Sequence, residues 1–349
     1  MPHTLEIGLL TTADHDPLRR FLDTHDQATV FYDPRWFDVL RATYWHRTRY
    51  WVARRGADIV GAFPVTTVYR PVLGTKHIAS PYQFNSGLPL GLDDETRAAL
   101  VRRTLDDVKG RGGYLEVRHL GREPWLEELG FQAIDTGLVN AVVPLPGITL
   151  AGLRHGHRRE VQSAEKQGLT LHEDNSREAL ERFHRMLAVE SRAMGNPQGG
   201  YRFLERYRAG LPECFHLTLA MSGSTCVGGA LTIENRNGAF GRYSVALPEA
   251  KKLYVSKAII WRLLADASAR GCRSFSLGIS SARDEGLIYG KQGWGAEVAP
   301  VWLHVYPHNS VKGDMSGYLD GFQLAKSIWR KLPTALTEPL GTLVTGWVC

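Results

Sequence analysis

Phe215-His216-Leu217-Thr218-Leu219-Ala220-Met221, Ser222-Gly223-Ser224, Thr225-Cys226-Val227-Gly228-Gly229-Ala230-Leu231-Thr232-Ile233 is the stretch on which the fold turns. Two apolar, β-rich runs flank a small polar turn with glycine at its centre, which predicts a β-hairpin. A second turn, Asn235-Arg236-Asn237-Gly238, leads into a third run, Ala239–Ser244. A helix is expected over 254–270, ended by Gly271, and then a strand, Ser274-Phe275-Ser276-Leu277-Gly278.

The same order occurs upstream. Arg49–Arg54 and Asp58–Val65 surround Arg55-Gly56-Ala57 and read as a hairpin, followed by strand-like Lys76–Ala79. Leu100, Leu105 and Val108 among charges predict an amphipathic helix over 94–110 stopped by Gly110, before a strand at Tyr114–Arg118. Short helices are expected from Pro17 to Thr24, from Pro34 and from Trp125, and a strand near 138–143. Pro144-Leu145-Pro146-Gly147 breaks the pattern and sets the expected domain boundary. Beyond it come a basic helix over 150–167, a strand at Leu169–Leu171, and helices over 176–193 and 201–209. Strand, tight turn, strand with internal glycine, then helix is the local order of the acetyltransferase (GNAT) fold, and its recurrence implies a duplication. The expected class is α/β (α+β): two tandem GNAT-like domains with mixed, mostly antiparallel sheets flanked by helices. They occupy 1–146 and 147–312, with 313–349 as a C-terminal helical extension.

Composition agrees with a globular chain of this size. Of 349 residues 43% are hydrophobic and 22% charged, enough for a core in each half. Neither a secretory signal pattern nor 18 consecutive apolar residues occurs, so a cytoplasmic location is expected. Cys214, Cys226, Cys272 and Cys349 are widely spaced and form no CxxC, which argues for reduced thiols rather than a disulfide framework. His155-x-His157 and His304-x3-His308 have metal-like spacings but lack a third clustered ligand, and no metal is expected. The net charge of +6 suits a polyanionic partner, whether RNA, a nucleotide-bearing substrate or anionic lipid headgroups, with peripheral contact to membrane-linked precursors among the expectations. The basic residues cluster, Arg154, Arg158 and Arg159 in one stretch and Lys251, Lys252 and Lys257 in another.

An ordered series of short motifs then resembles the Fem family of aminoacyl-tRNA-dependent peptidyltransferases and related Fem-like GNAT proteins. The series runs Pro34-x-Trp36, Ile59-Val60-Gly61-Ala62-Phe63-Pro64, Ser80-Pro81-Tyr82 with Gly87, and Arg154-x3-Arg158-x2-Val161-x2-Ala164-x-Lys166-x-Gly168. It continues through Gly228-Gly229-Ala230, Tyr243-Ser244, Trp261-Arg262-Leu263 and Phe275-Ser276-Leu277-Gly278 to Gly286-Leu287-x2-Gly290-Lys291-x-Gly293-Trp294-Gly295-Ala296. The resemblance implies a cleft for an amine acceptor, a channel for the aminoacyl end of tRNA, and a terminal helix, about 318–330, returning to the first domain. It also matches Lys291 to the family's lysine at the acyl-transfer centre and Tyr243 to a tyrosine lining the acceptor cleft.

The chemistry follows from these residue types. An amine attacking an ester or thioester needs stabilisation of the oxyanion that develops, and a fixed ammonium supplies it without any covalent nucleophile. Lys291, expected in a glycine-rich loop bounded by Gly290 and Gly293, is the catalytic candidate. Asp284-Glu285 is a weaker candidate for a general base. Arg158 and Tyr243, with Trp36 and Tyr82, are the acceptor-binding candidates, since guanidinium pairs with phosphate and aromatic rings stack. Lys251, Lys252, Lys257 and Arg154 are the candidates for contacting donor tRNA. Acyl-CoA enzymes of this fold cradle pyrophosphate on a glycine-rich turn at a helix N-terminus. Glu249–Lys257 contains no glycine and offers lysines instead, which favours aminoacyl-tRNA over acyl-CoA as donor. The expected activity is amide-bond formation on a peptidoglycan precursor or peptide-like metabolite without a bound cofactor. The alternative is an acyl-CoA-dependent N-acyltransferase of envelope or polysaccharide biosynthesis.

Overall fold

The computed structural model describes residues 4–70, 74–308, 310 and 326–348. Contacts divide the chain into two compact units: Met1–Gly137 with Pro300–Tyr318 and Gly346–Cys349, and Leu138–Ala299 with Leu319–Thr345.

In the first unit β1 (Leu5–Leu9), β2 (Arg47–Arg55), β3 (Asp58–Arg70) and β4 (Gly74–Ala79) form an antiparallel meander, with β5 (Leu90–Gly91) paired to β3. β4 then runs parallel to β6 (Tyr114–Leu120), and the crossover that a parallel pair requires is helical. That helix, α3 (Asp94–Arg111), follows α1 (His15–Thr24) and α2 (Pro34–Tyr44) in the chain. α3 starts where the Asp93 carboxylate accepts the Thr96 N–H at 2.8 Å. It buries Leu100, Val101, Leu105 and Val108 against Trp51, Phe63, Leu115 and Val117 of the sheet. α4 (Pro124–Glu128) is one short turn after β6.

The second unit repeats this plan. β8 (Leu169–Glu173), β9 (Phe215–Ser222), β10 (Thr225–Asn235) and β11 (Gly238–Ala246) are antiparallel neighbours, and β11 runs parallel to β12 (Ser274–Ser281). α8 (Val255–Ala269) is the crossover and packs Ile259, Leu263 and Leu264 into the core, joined by Val161 and Ala164 of α5 (His155–Lys166). α6 (Arg177–Met194), capped where Ser176 Oγ accepts the Ala179 N–H at 3.1 Å, and α7 (Tyr201–Gly210) come between β8 and β9.

Each unit completes its sheet with a strand that begins in the other's share of the chain. β7 (Gln132–Pro144) pairs with β12 of the second unit from Leu138 onward, and β13 (Glu297–Tyr306) pairs with β6 of the first unit from Val301 onward. The division therefore falls at Gly137/Leu138 and Ala299/Pro300, inside two strands, and not at the Pro144–Gly147 break. Of the described residues of the expected C-terminal extension, 326–345 fall to the second unit and 346–348 to the first. Of the helix expected over 318–330, residues 318–325 lie outside the described residues and 326–331 are helical. α9 (Glu285–Gln292) and α10 (Thr334–Val348) complete the chain.

Candidate active site

β11 and β12 are in register at two pairs only, Ala239↔Phe275 and Phe240↔Ser276. Both strands bulge at that point. In β11, Arg242 is extra between the pairs Thr232↔Gly241 and Leu231↔Tyr243; in β12, Leu277 and Gly278 interrupt the pairing with β7, and Gly278 has φ +77°. A bulge bends its strand and leaves carbonyls without a ladder partner. Here Lys291 supplies the partner. Its Nζ donates to Gly278 O at 2.7 Å and Ile279 O at 3.3 Å. Burial pulls the Lys291 ammonium down to about 8, against a smaller opposing effect from the Asp284 carboxylate.

Lys291 is carried by α9, where the sequence led us to expect a loop. Two glycines in an eight-residue helix are unfavourable, and tertiary ties compensate. At the N-terminus the Asp284 carboxylate accepts the Leu287 N–H at 3.0 Å, so Asp284 is a cap. At the other end α5 grips the exposed carbonyls. Arg154 Nη1 donates to Tyr289 O at 2.8 Å while its guanidinium lies 3.7 Å over the Tyr289 ring, and His157 Nε2 donates to Gly290 O at 2.8 Å. Donors and positive charge at a helix C-terminus satisfy those carbonyls and its dipole together.

His157 is the centre of this clamp. Its Nδ1 accepts from Lys257 Nζ at 3.2 Å, and its ring lies 4.4 Å from that of Trp294. Lys257 also meets Glu160 at 3.4 Å. Burial, with Lys257 and Arg154 nearby, holds the imidazole below its usual range in spite of Glu160 and the Gly290 carbonyl. The neutral ring, donating at Nε2 and accepting at Nδ1, fits both bonds. Gly293 makes room for it, since a Cβ there would lie 2.5 Å from His157 Nε2.

The remaining predicted residues fall into three groups. Tyr243 is half-buried on β11, next to the bulged Arg242, whose guanidinium lies 5.7 Å from its ring; Arg158 is half-buried on α5 and donates to Ala151 O at 3.1 Å. Lys251 and Lys252 are exposed on the turn Pro248–Leu253 that precedes α8, whereas Arg154 and Lys257 are committed to the α9 clamp. Trp36 and Tyr82 belong to the first unit. Trp36 is fully enclosed, edge-on to Phe31 at 5.4 Å and to Tyr82 at 6.4 Å, so no ring face is available for stacking on a ligand. Tyr82 stacks on Tyr44 at 5.3 Å and shares a 2.8 Å hydrogen bond with His46 Nε2. Among the described residues no cluster of three metal-ligating side chains occurs. Sequence reasoning missed His157 and Trp294, having weighed His157 only as a metal ligand. The usable signal was Gly293-Trp294 following the lysine.

Comparison with known proteins covers part of this region: β11 and β12 lie inside the matched segment and Lys291 lies beyond its end. Residues 151–285 match the family model described as an acetyltransferase (GNAT) domain. No curated protein matches in sequence. Among solved structures, FemX is similar with a TM-score of 0.68 at 14% identity, over 92% of this chain and 100% of that one. L-PGS from Bacillus licheniformis has a TM-score of 0.61 at 14% identity, over 92% and 98%. The C-terminal domain of a putative lysylphosphatidylglycerol synthetase from Agrobacterium fabrum has a TM-score of 0.59 at 14% identity, over 88% and 95%. A tandem GNAT protein from the clavulanic acid biosynthesis pathway has a TM-score of 0.51 at 13% identity, over 89% and 100%. The chain thus shares its fold with FemX and with a tandem GNAT protein, and the acyltransferase likeness of GNAT type is carried by residues 151–285.

Proposed function

We propose that this protein forms amide bonds by moving an aminoacyl group from aminoacyl-tRNA to an amine of a peptidoglycan precursor or peptide-like metabolite. The observation that carries the reading is the Lys291 ammonium, half-buried at the point where β11 and β12 part. An ammonium has three N–H donors; two meet Gly278 O and Ile279 O, and among the described residues the third has no partner. In the reaction the acceptor's free amine attacks the ester carbonyl carbon, a C–N bond forms, and the carbonyl π electrons move onto oxygen. The third Lys291 N–H donates to that oxyanion. Collapse restores the C=O and breaks the ester C–O bond, and the departing ribose oxygen takes up the proton lost by the amine. Fixed positive charge in a partly desolvated place stabilises such a transition state without reorganisation. Arg158 and Tyr243 place the acceptor, and Lys251 and Lys252, exposed ahead of α8, meet the phosphates of the acceptor stem. The fold shared with FemX and with the C-terminal domain of a putative lysylphosphatidylglycerol synthetase supports this reading.

A second reading has one specific support: the matched family model is an acetyltransferase domain. In it the donor is an acyl-CoA, and the first-turn N–H groups of α8 take the pyrophosphate. Ribonuclease treatment of a charged donor pool separates the two. Transfer abolished by ribonuclease upholds the aminoacyl-tRNA donor; transfer that survives and depends on added acyl-CoA replaces it.

A further inference from the structure

The outward face of α10 has no role in the acyl-transfer site. Its inner face is fixed to the second unit: Glu338 Oε1 accepts the Tyr201 N–H at 3.0 Å, and Thr342 Oγ1 accepts the Gly200 N–H at 3.0 Å. The opposite face carries Leu336, Leu340 and Leu343 at spacings i, i+4 and i+7, which align on one side of a helix. They are 48%, 38% and 44% exposed, and Ile328 in the preceding helical turn is 55% exposed. Soluble surfaces tolerate single exposed leucines, but an aligned row marks a docking face.

The charges identify the partner. Across residues 326–348 the charged side chains are Lys326, Arg330, Lys331 and Glu338; the one carboxylate is exposed but accepts the Tyr201 N–H, on the side of the helix away from the leucine row. Arg330 and Lys331 are exposed beside the apolar row. Arg330 also reaches Met194 O at 3.3 Å, which brings the exposed Met194 side chain alongside. Leucines rimmed by cations, with no carboxylate of residues 326–348 on the leucine side, match the composition of a helix lying in the interface of an anionic bilayer. A second copy of this chain would set like-charged rims together, and a few partly exposed leucines fall far short of the roughly 800 Å² per partner that a stable dimer buries. No described helix is long and apolar enough to cross a membrane, so the contact is peripheral.

We propose that α10 docks the protein on an anionic phospholipid surface, its leucine row entering the headgroup–acyl boundary while Arg330 and Lys331 meet lipid phosphates. The test is co-sedimentation of the full chain with vesicles of phosphatidylglycerol and phosphatidylcholine mixed, against phosphatidylcholine alone. Wild type is expected to pellet with the mixed vesicles at least tenfold better than with neutral ones, and less well as salt rises. Leu340→Asp with Leu343→Asp should lower that binding at least tenfold, and Lys331→Glu several-fold. The far-ultraviolet spectrum should stay unchanged and the melting temperature should fall by no more than a few degrees, because these side chains are already partly exposed. Wild type remaining in the supernatant overturns the proposal, as does undiminished pelleting of the double variant. Concentration-dependent dimerisation that the double variant abolishes would assign the face to a second copy and equally overturn it.

Discussion

The two units contain the same seam, a parallel strand pair bridged by a helix, and they finish it differently. In the first unit β4 and β6 are in register at Lys76↔Tyr114, His77↔Leu115 and Ile78↔Glu116. The chain then folds back along β6: the Gly87 N–H donates to Arg118 O at 3.0 Å, and the Tyr32 hydroxyl is shared between Ser86 O and Leu88 O at 2.8 and 2.6 Å. This return puts Ser80 and Tyr82 at positive φ, 46° and 68°, which non-glycine residues adopt only when their surroundings enforce it. In the second unit the chain leaves β11 through an exposed turn, and a lysine side chain meets the carbonyls at the bulge of β12. One seam is sealed by backbone, the other completed by an ammonium. The family-model match, confined to 151–285, falls on the second. The first seam also holds charged groups, but its Lys76 and Glu116 are buried and paired with each other at 3.8 Å, whereas Lys291 at the second is only half-buried and meets backbone carbonyls. The proposed mechanism therefore rests on the second.

The largest effect to expect is therefore at Lys291. Lys291→Met removes the charge and keeps most of the stem, and kcat should fall on the order of 10²–10³-fold with KM within a few-fold, as for loss of an oxyanion donor. Steady-state kinetics with the donor established by the ribonuclease experiment checks it. A rate within threefold of wild type would take the chemistry out of the second seam. The next effect is pH. The ammonium is depressed from its ordinary 10.5 to about 8 by burial. In the proposed mechanism the charged form is the active one, so kcat should decline as pH rises through about 8. Lys291→Arg stays charged throughout, and its residual activity should lack that descending limb.

A smaller effect tests the clamp on α9. His157→Phe keeps a ring against Trp294 but loses the donor to Gly290 O and the acceptor for Lys257. Stability should drop by about 1–3 kcal/mol, the cost of stranding partly buried polar groups. The pH dependence has a defined sign. His157 binds its proton less readily folded than unfolded, so the unfolded state takes up the extra proton as pH falls below about 6.5 and wild-type stability declines there. Denaturant titrations at about pH 7.5 and pH 5.5 should show a loss in wild type that is smaller in His157→Phe.

Much of this was legible in the sequence because it is local. Both hairpins, both crossover helices and both parallel strands follow from apolar runs punctuated by glycine turns, and Asp93 and Ser176 are caps of the ordinary kind. What was misread is non-local. α9 holds Gly286 and Gly290, which on propensity alone reads as a loop; Arg154 and His157, more than a hundred residues upstream, make it a helix. Pro144-Leu145-Pro146-Gly147 does end β7, yet β7 already belongs to the second sheet by then, since pairing with β12 begins at Leu138. β13 was not anticipated as the strand that completes the first sheet. Among the candidates, Lys291 and Tyr243 were proposed from resemblance, whereas the bulges that give Lys291 its carbonyl partners depend on strand register, which no local pattern reveals.

The smallest effects belong to the sealed seam, and there stability and activity should separate. Gly87→Ala would place a Cβ 2.4 Å from the Arg118 carbonyl oxygen, a backbone atom that cannot swing aside. It should cost about 1–3 kcal/mol as overpacking does. Tyr82→Phe removes only the hydroxyl bonded to His46 and should cost about 1 kcal/mol. In both variants the fraction that is folded should turn over within about twofold of wild type, because neither substitution touches the β11–β12 seam. The comparison is sharpest for Tyr82, a residue type that suits acceptor binding but is buried here against Tyr44 and Trp36. A tenfold rise in KM for the amine in Tyr82→Phe, with melting temperature unchanged, would mean that the first seam opens to the acceptor, and the division of labour between the two units would have to be redrawn.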